Sequence, residues 1–155
     1  MPDPAILMRK AEMSDAAAIQ AGICSLAAET GEGPADPDLV LLGVKAVLKD
    51  AHKGFYLLAE SKRPPALAGL LRVSFAWDDL RHRNFWWLAA AWVDPAWRGR
   101  QLFTALFRHL SGLARFHKDV AGIKLQLPGH RRDLAPLLEA QGLQKTPHEL
   151  WEILF

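Results

Sequence analysis

The stretch Asn84-Phe85-Trp86-Trp87-Leu88-Ala89-Ala90-Ala91-Trp92-Val93, then Asp94-Pro95-Ala96-Trp97-Arg98-Gly99-Arg100-Gln101, then Leu102-Phe103-Thr104, decides the fold. Strict alternation places Phe85, Trp87, Ala89, Ala91 and Val93 on one side of a strand. Trp86, Leu88, Ala90 and Trp92 fall on the other side. A strand apolar on both faces is central and lies between helical layers. Asp94-Pro95 ends it, and a long helix over Leu102–His117 follows, with Leu102, Leu106, Leu110, Leu113 and Ala114 on its apolar face. The first amides of a helix lack intrahelical acceptors, and the helix dipole favours negative charge there. Arg98 and Arg100 add fork-shaped donors suited to phosphate. The pattern reads as an anion site, or else as a solvated basic turn.

Upstream of this stretch, Ile6–Arg9 reads as a short strand. Ser14-Asp15 supplies a cap signal for a helix over Ala16–Glu29, with Ile19, Ile23, Leu26 and Ala27 at helical spacing. Thr30–Asp38 is a loop by its Gly, Pro and carboxylate content, and Pro37–Ala51 is a second helix. Phe55–Ala59 and Leu67–Phe75 are strands. Between them lies a turn over Ser61–Pro65, where Pro64-Pro65 ends ladder pairing. With the Asn84–Val93 strand they make an antiparallel meander.

Downstream, Ile123–Leu127 is a strand, and Arg131–Gln141 is a helix closed by Gly142. Leu150–Phe155 reads as a last strand. The order β-α-α-β-β-β-α-β-α-β predicts a three-layer α/β fold.

Composition narrows the function. The 155 residues are 50% hydrophobic and 23% charged, which predicts one globular domain over 1–155 that needs no disulfide or metal staple. A formal charge of +2 gives no footprint for nucleic acid. The longest apolar run, Phe85–Val93, is about half of a membrane span, so no membrane partner is expected. Met1-Pro2-Asp3-Pro4 has no basic leader, and a cytoplasmic protein is expected. The single cysteine, Cys24, reads as a buried thiol. No His, Cys, Asp or Glu set shows metal-ligand spacing, and no metal is expected. Six Trp and seven Phe stand against one Tyr, Tyr56.

The run Val93 to Phe103 resembles motif A of the GNAT superfamily of N-acetyltransferases: an apolar strand, Val-x-Pro, then Arg-Gly-x-Gly-x-Gly/Ala. Phe85-Trp86-Trp87 is similar to one bacterial branch, and the matching element order covers nearly the whole chain. The resemblance implies a mixed, mostly antiparallel sheet with splayed central strands. It implies acetyl-CoA as donor, with its pyrophosphate on the amides of Arg98, Gly99, Arg100, Gln101, Leu102 and Phe103, and Thr104 adding its hydroxyl. The pantetheine arm would pair with Ala91, Trp92 and Val93. A backbone amide at the end of that strand would polarise the thioester carbonyl. A neutral primary amine, on a small molecule or a protein N-terminus, would attack directly. The alternative is a non-catalytic domain that binds CoA or an acyl-CoA as a sensor. Dimers are common in the family, so a homodimer stays open.

The chain also departs from the family pattern. Gln101 stands where Gly is usual, and Phe103 where Gly or Ala is usual. Leu138 aligns with the usual Tyr acid, and Arg131 with an Asn that contacts the cofactor. Arg131 either reaches a CoA phosphate or is solvated. Leu88, Ala89 and Ala90 carry no carboxylate to act as base. Glu29, Glu32, Asp78, Asp79, His82 and His148 are the titratable candidates near the expected acceptor cleft, with Asp78, Glu29 and His148 foremost. A carboxylate patch of Glu29, Glu32, Asp36 and Asp38 would favour a cationic amine, or be a solvated loop. Trp86, Trp87 and Trp92 either line an acceptor pocket or fill the core.

Overall fold

The computed structural model describes residues 5–155. Met1–Pro4, which carry the leader reading, lie outside the described residues. The elements run β1 (Ile6–Lys10), α1 (Ala16–Thr30), α2 (Pro37–Lys49), β2 (Phe55–Lys62), β3 (Pro65–Asp78), β4 (Arg83–Val93), α3 (Leu102–Phe116), β5 (Val120–Leu125) and α4 (Ala135–Ala140). The strands form one sheet in the order β1-β2-β3-β4-β5. The first three pairings are antiparallel, and β4–β5 is parallel.

Helices cover both sheet faces, as a strand apolar on both sides requires. On one face α3 packs Leu106, Phe107 and Leu110 onto Leu57, Leu71, Val73, Trp86 and Leu88. On the other, Ile19 of α1 and Val44 and Val47 of α2 meet Tyr56, Leu58, Leu70 and Trp92. Gly22 lets α1 come close: a Cβ there would lie 3.0 Å from Trp92 Cε3 and 3.1 Å from Leu70 Cδ2.

The caps show why the helices start and stop where they do. Asp36 accepts from the amides of Asp38 and Leu39, and Pro37 takes the first position of α2, where no amide is needed. Asp15 precedes α1 as expected, but its carboxylate turns back to the Glu12 amide at 2.7 Å and to the Arg9 guanidinium at 2.8 Å. Arg9 also donates to Glu60 on β2, tying β1 to the entry of α1. Gly142 closes α4 at φ 92°, with its amide on Glu139 O and the Leu143 amide on Leu138 O. That pair of bonds is a left-handed helix stop.

Several expectations are corrected. Leu150–Phe155 forms no strand: these residues are irregular and exposed. The last helix is shorter than Arg131–Gln141, because Gly129–Leu134 is a 3-10 turn interrupted by non-helical dihedrals at Arg131. The fifth strand sits earlier, at Val120–Leu125. Pro65 does not end the ladder but begins β3 opposite Lys62, its ring replacing an amide at a strand's first position. Cys24 is half-buried rather than buried.

The side-chain alternation of β4 is corrected too. Trp86 and Leu88 share the α3 face with Ala91 and Val93, while Trp92 faces α1 and α2. The cause is a β-bulge: Arg72 pairs with Ala90 and Val73 with Leu88, which leaves Ala89 as an extra residue. One extra residue reverses which face every later side chain occupies.

Candidate active site

Strands β4 and β5 pair from Asn84/Val120 to Leu88/Leu125 and no further. Beyond that point Ala89–Val93 stays paired to β3 on one edge only. The bulge at Ala89 coincides with the parting. A bulge bends and twists its strand, so β4 leaves β5 there and opens a cleft along Ala89 to Val93, where no strand pairs on the β5 side.

At the far end of this cleft the chain turns into α3. The Asp94 amide donates to Ala68 O at 2.8 Å, fixing the end of β4, and its carboxylate caps the Ala96 amide at 2.8 Å. A 3-10 turn, Pro95–Trp97, leads to two left-handed residues, Gly99 at φ 77° and Gln101 at φ 57°. Gln101 is the N-cap of α3 and provides no side-chain cap. The first intrahelical bond starts at the Ala105 amide, on Gln101 O. The amides of Leu102, Phe103 and Thr104 are therefore free to meet an anion at the positive end of the helix. Thr104 is buried in that first turn, while Arg98, Gly99, Arg100 and Gln101 are exposed.

The loop's cations are differently employed. Arg98 does not reach toward the helix amides. Its Nε donates to Val93 O at 3.0 Å and its Nη2 to Glu29 at 2.6 Å. It is a strut between the end of β4 and the end of α1. Glu29 is thereby ion-paired beside the loop that leads into α3. Arg100 lies over the Trp97 ring at 4.8 Å. Arg131 pairs with Asp133 at 3.2 Å and is exposed.

The structure does not gather the titratable candidates. Asp78 pairs with Arg83 at the start of β4, six residues from Ala89, or roughly 20 Å along the strand. Its carboxylate is held by Arg81 at 2.8 Å, which lowers its pKa below the usual carboxylate range. Asp79 accepts from Trp77 Nε1, and His82 stacks edge-on to Trp77 at the same tip. His148 lies exposed in the irregular segment after α4, and Glu32 is exposed in the α1–α2 loop. Leu138, aligned with the usual acid, is buried. Trp86 and Trp92 fill the two cores, and Trp87 is half-buried.

Two features escaped the sequence reading. The first is the Arg98–Glu29 strut, which spans 69 residues and leaves no local signal. The second is Arg72, paired with Ala90 beside the bulge. It is half-buried against Tyr56, which lies on the α1–α2 side, and donates to Val73 O and, at 2.9 Å, to Lys53 O. Burial lowers its pKa and raises that of Tyr56. A cation interrupting the apolar run Leu70-Leu71-Arg72-Val73 is the signal that could have found it.

A family model for the acetyltransferase (GNAT) family matches residues 20–132, most of the chain. The chain belongs to the GNAT acetyltransferase family. No curated protein matches it. Among solved structures, a possible acetyltransferase from Clostridium difficile 630 is 24% identical, with a TM-score of 0.89 over 97% of this chain and 98% of that one. A ribosomal-protein-alanine N-acetyltransferase from Brucella melitensis biovar Abortus 2308 is 18% identical, with a TM-score of 0.78 over 97% and 100%. The aminoglycoside N-acetyltransferase AAC(6')-Iy, in complex with CoA, is 13% identical, with a TM-score of 0.78 over 99% and 98%. At these identities the likeness concerns the fold.

In this GNAT protein the usual glycine after Arg100 is replaced by Gln101 at a left-handed φ. The position asks for a backbone conformation that glycine adopts freely, and here a residue with a Cβ adopts it.

Proposed function

We propose that the chain is an acetyl-CoA-dependent N-acetyltransferase acting on a primary amine. The observation that carries this reading is the parting of β4 from β5 at Ala89, directly upstream of the uncapped amides of α3. The amides of Leu102, Phe103 and Thr104 suit a pyrophosphate, and the unpaired edge over Ala91–Val93 suits the amides of a pantetheine arm. Bound there, acetyl-CoA supplies an acetyl group activated as a thioester.

The chain's own groups then have defined tasks. A backbone amide on the free edge of β4 donates to the thioester carbonyl, favouring the charge that develops on its oxygen. The helices that cover both faces of β4 keep water from the cleft floor. The attacking amine must be neutral, while an ordinary amine is protonated at neutral pH. No carboxylate lies at Leu88, Ala89 or Ala90, so the ammonium loses its first proton to bulk water before it enters, and the N–H proton released as the C–N bond forms leaves on the CoA thiol as the C–S bond breaks.

Buried Leu138 favours a second reading, in which the domain binds CoA without turnover. One experiment separates the two. Acetyl-CoA is titrated calorimetrically, and thiol release is followed with an amine panel that includes peptides. Binding with thiol release supports the transferase. Binding without release on any amine supports the sensor, and no binding at millimolar acetyl-CoA defeats both.

A further inference from the structure

We propose that the chain has a second small-molecule site, which takes a single aromatic ring bearing a carboxylate, at the end of the sheet away from the parting strands. There β4 and β5 are still paired, Asn84 opposite Val120. On the α3 face Phe75 stands opposite Trp86, and Phe55 of β2 lies beside both, with ring centroids 5.1–6.3 Å apart. α3 ends at Phe116, and the ring of His117, the next residue, lies 5.7 Å from that of Trp86. These four rings border a cavity of about 170 Å³.

Size and lining set the first half of the ligand. An apolar cavity of roughly 150 Å³ takes benzene, so this one holds one ring and leaves its substituent at the mouth. Phe75 is 37% exposed, although Phe55 beside it is half-buried and Trp86 is buried. A ring laid on Phe75 removes apolar surface from water. Offset or edge-on contact with Trp86 adds to that gain.

The polar groups set the second half. Trp86 is 5% exposed, and among the described residues its Nε1 has no acceptor. The polar side-chain atoms both unpaired and sealed from solvent are Ser61 Oγ and Trp92 Nε1. The small part of Trp86 that solvent reaches therefore includes its N–H, which opens on the cavity. Lys10 Nζ lies over the Phe55 ring at 4.5 Å. Among the described residues, neither it nor the Asn84 carboxamide or the His117 imidazole makes a side-chain hydrogen bond or ion pair. Lys and Trp only donate, and Asn and His can donate. Asp119, exposed, is the only carboxylate on the lining. Donors converging on an aromatic floor suit a carboxylate, and the charge that lies over this floor is the Lys10 ammonium. The cofactor cleft is elsewhere: Trp86 precedes Ala91 by five residues, roughly 17 Å along β4.

Binding is read by heteronuclear NMR of the isotopically labelled full chain without CoA, on assigned indole N–H groups and backbone amides. Benzoate at millimolar concentration is expected to shift the Trp86 indole and the Asn84 amide, and to leave the amides of Leu102, Phe103 and Thr104 in place. Acetate, which has no ring, and benzylamine, whose charge is opposite, are expected to shift neither. Lys10→Gln is expected to weaken benzoate binding roughly three- to tenfold with unchanged far-UV circular dichroism. Asp119→Asn, which removes the opposing charge, is expected to bind at least as tightly as the parent. No shift with benzoate, an equal shift with acetate (an adventitious ion only) or binding of benzylamine instead would overturn the inference. So would a Lys10→Gln chain with the parent's Kd, or weaker binding by Asp119→Asn.

Discussion

Gln101 allows the candidate phosphate loop to be tested through its backbone alone. It sits at φ 57°, ψ 26°, and its side chain is exposed, so no burial effect competes. Left-handed geometry costs an L residue roughly 1–2 kcal/mol. Glycine escapes that cost but loses roughly 0.5–1 kcal/mol more conformational freedom on folding. Gln101→Gly is therefore expected to gain about 0–1.5 kcal/mol. Gln101→Val keeps that cost and adds the crowding of a branched Cβ, so it is expected to be less stable than the parent. In a chain of this size each kcal/mol moves Tm by about 2–4 °C, so scanning calorimetry resolves the order Gly, Gln, Val. Because the same dihedrals aim the first amides of α3, CoA affinity measured by titration calorimetry should fall for Val and hold for Gly. A Val variant as stable as the parent, with equal CoA affinity, would refute the reasoning.

Other perturbations test the frame around the site. Asp15→Asn removes the carboxylate that holds Arg9 and the Glu12 amide, and is expected to cost about 1–3 kcal/mol in urea denaturation. Hydrogen bonds from Arg9 depress the Asp15 pKa. That contribution is present above the unfolded value near pH 4 and is lost as pH falls through the lower folded value. Parent and variant should therefore converge in acid. Gly54→Ala drives a Cβ into Val73 O at φ 113°, and a loss of at least about 3 kcal/mol is expected by thermal unfolding. Arg98→Ala breaks an exposed pair with Glu29, so stability should change by under about 1 kcal/mol. CoA affinity should fall several-fold, because Val93 O and the start of the loop lose their strut.

What the sequence disclosed followed period and punctuation. The strand into Asp94-Pro95 and the helix from Leu102 stood out because apolar spacing changes from two to between three and four across a Gly-containing turn. The three-layer arrangement followed from β4 being apolar on both faces. The strict alternation failed at Ala89, since a bulge is a register difference between two strands and three successive alanines do not mark it. The Arg98–Glu29 pair left no sequence signal because the two residues are 69 positions apart. Leu150–Phe155 has strand composition yet lies unpaired, because composition reports what a segment can bury and not whether its own chain offers the edge.

The bulge at Ala89 joins fold to chemistry more directly than any titratable side chain here. Without it, β4 would stay in register with β3, and nothing would require it to leave β5 after Leu88. With it, Ala91 and Val93 turn their side chains to the α3 core, and Trp92 locks against Gly22 of α1. Both faces of the departing segment are thus held by helices while its edge is left open. The groups exposed on that edge are backbone amides and carbonyls, which no substitution at Ala89, Ala90 or Ala91 removes short of proline. The groups that the proposed site offers at the parting thus come from the backbone, and Ala89-Ala90-Ala91 sets only small side chains beside them.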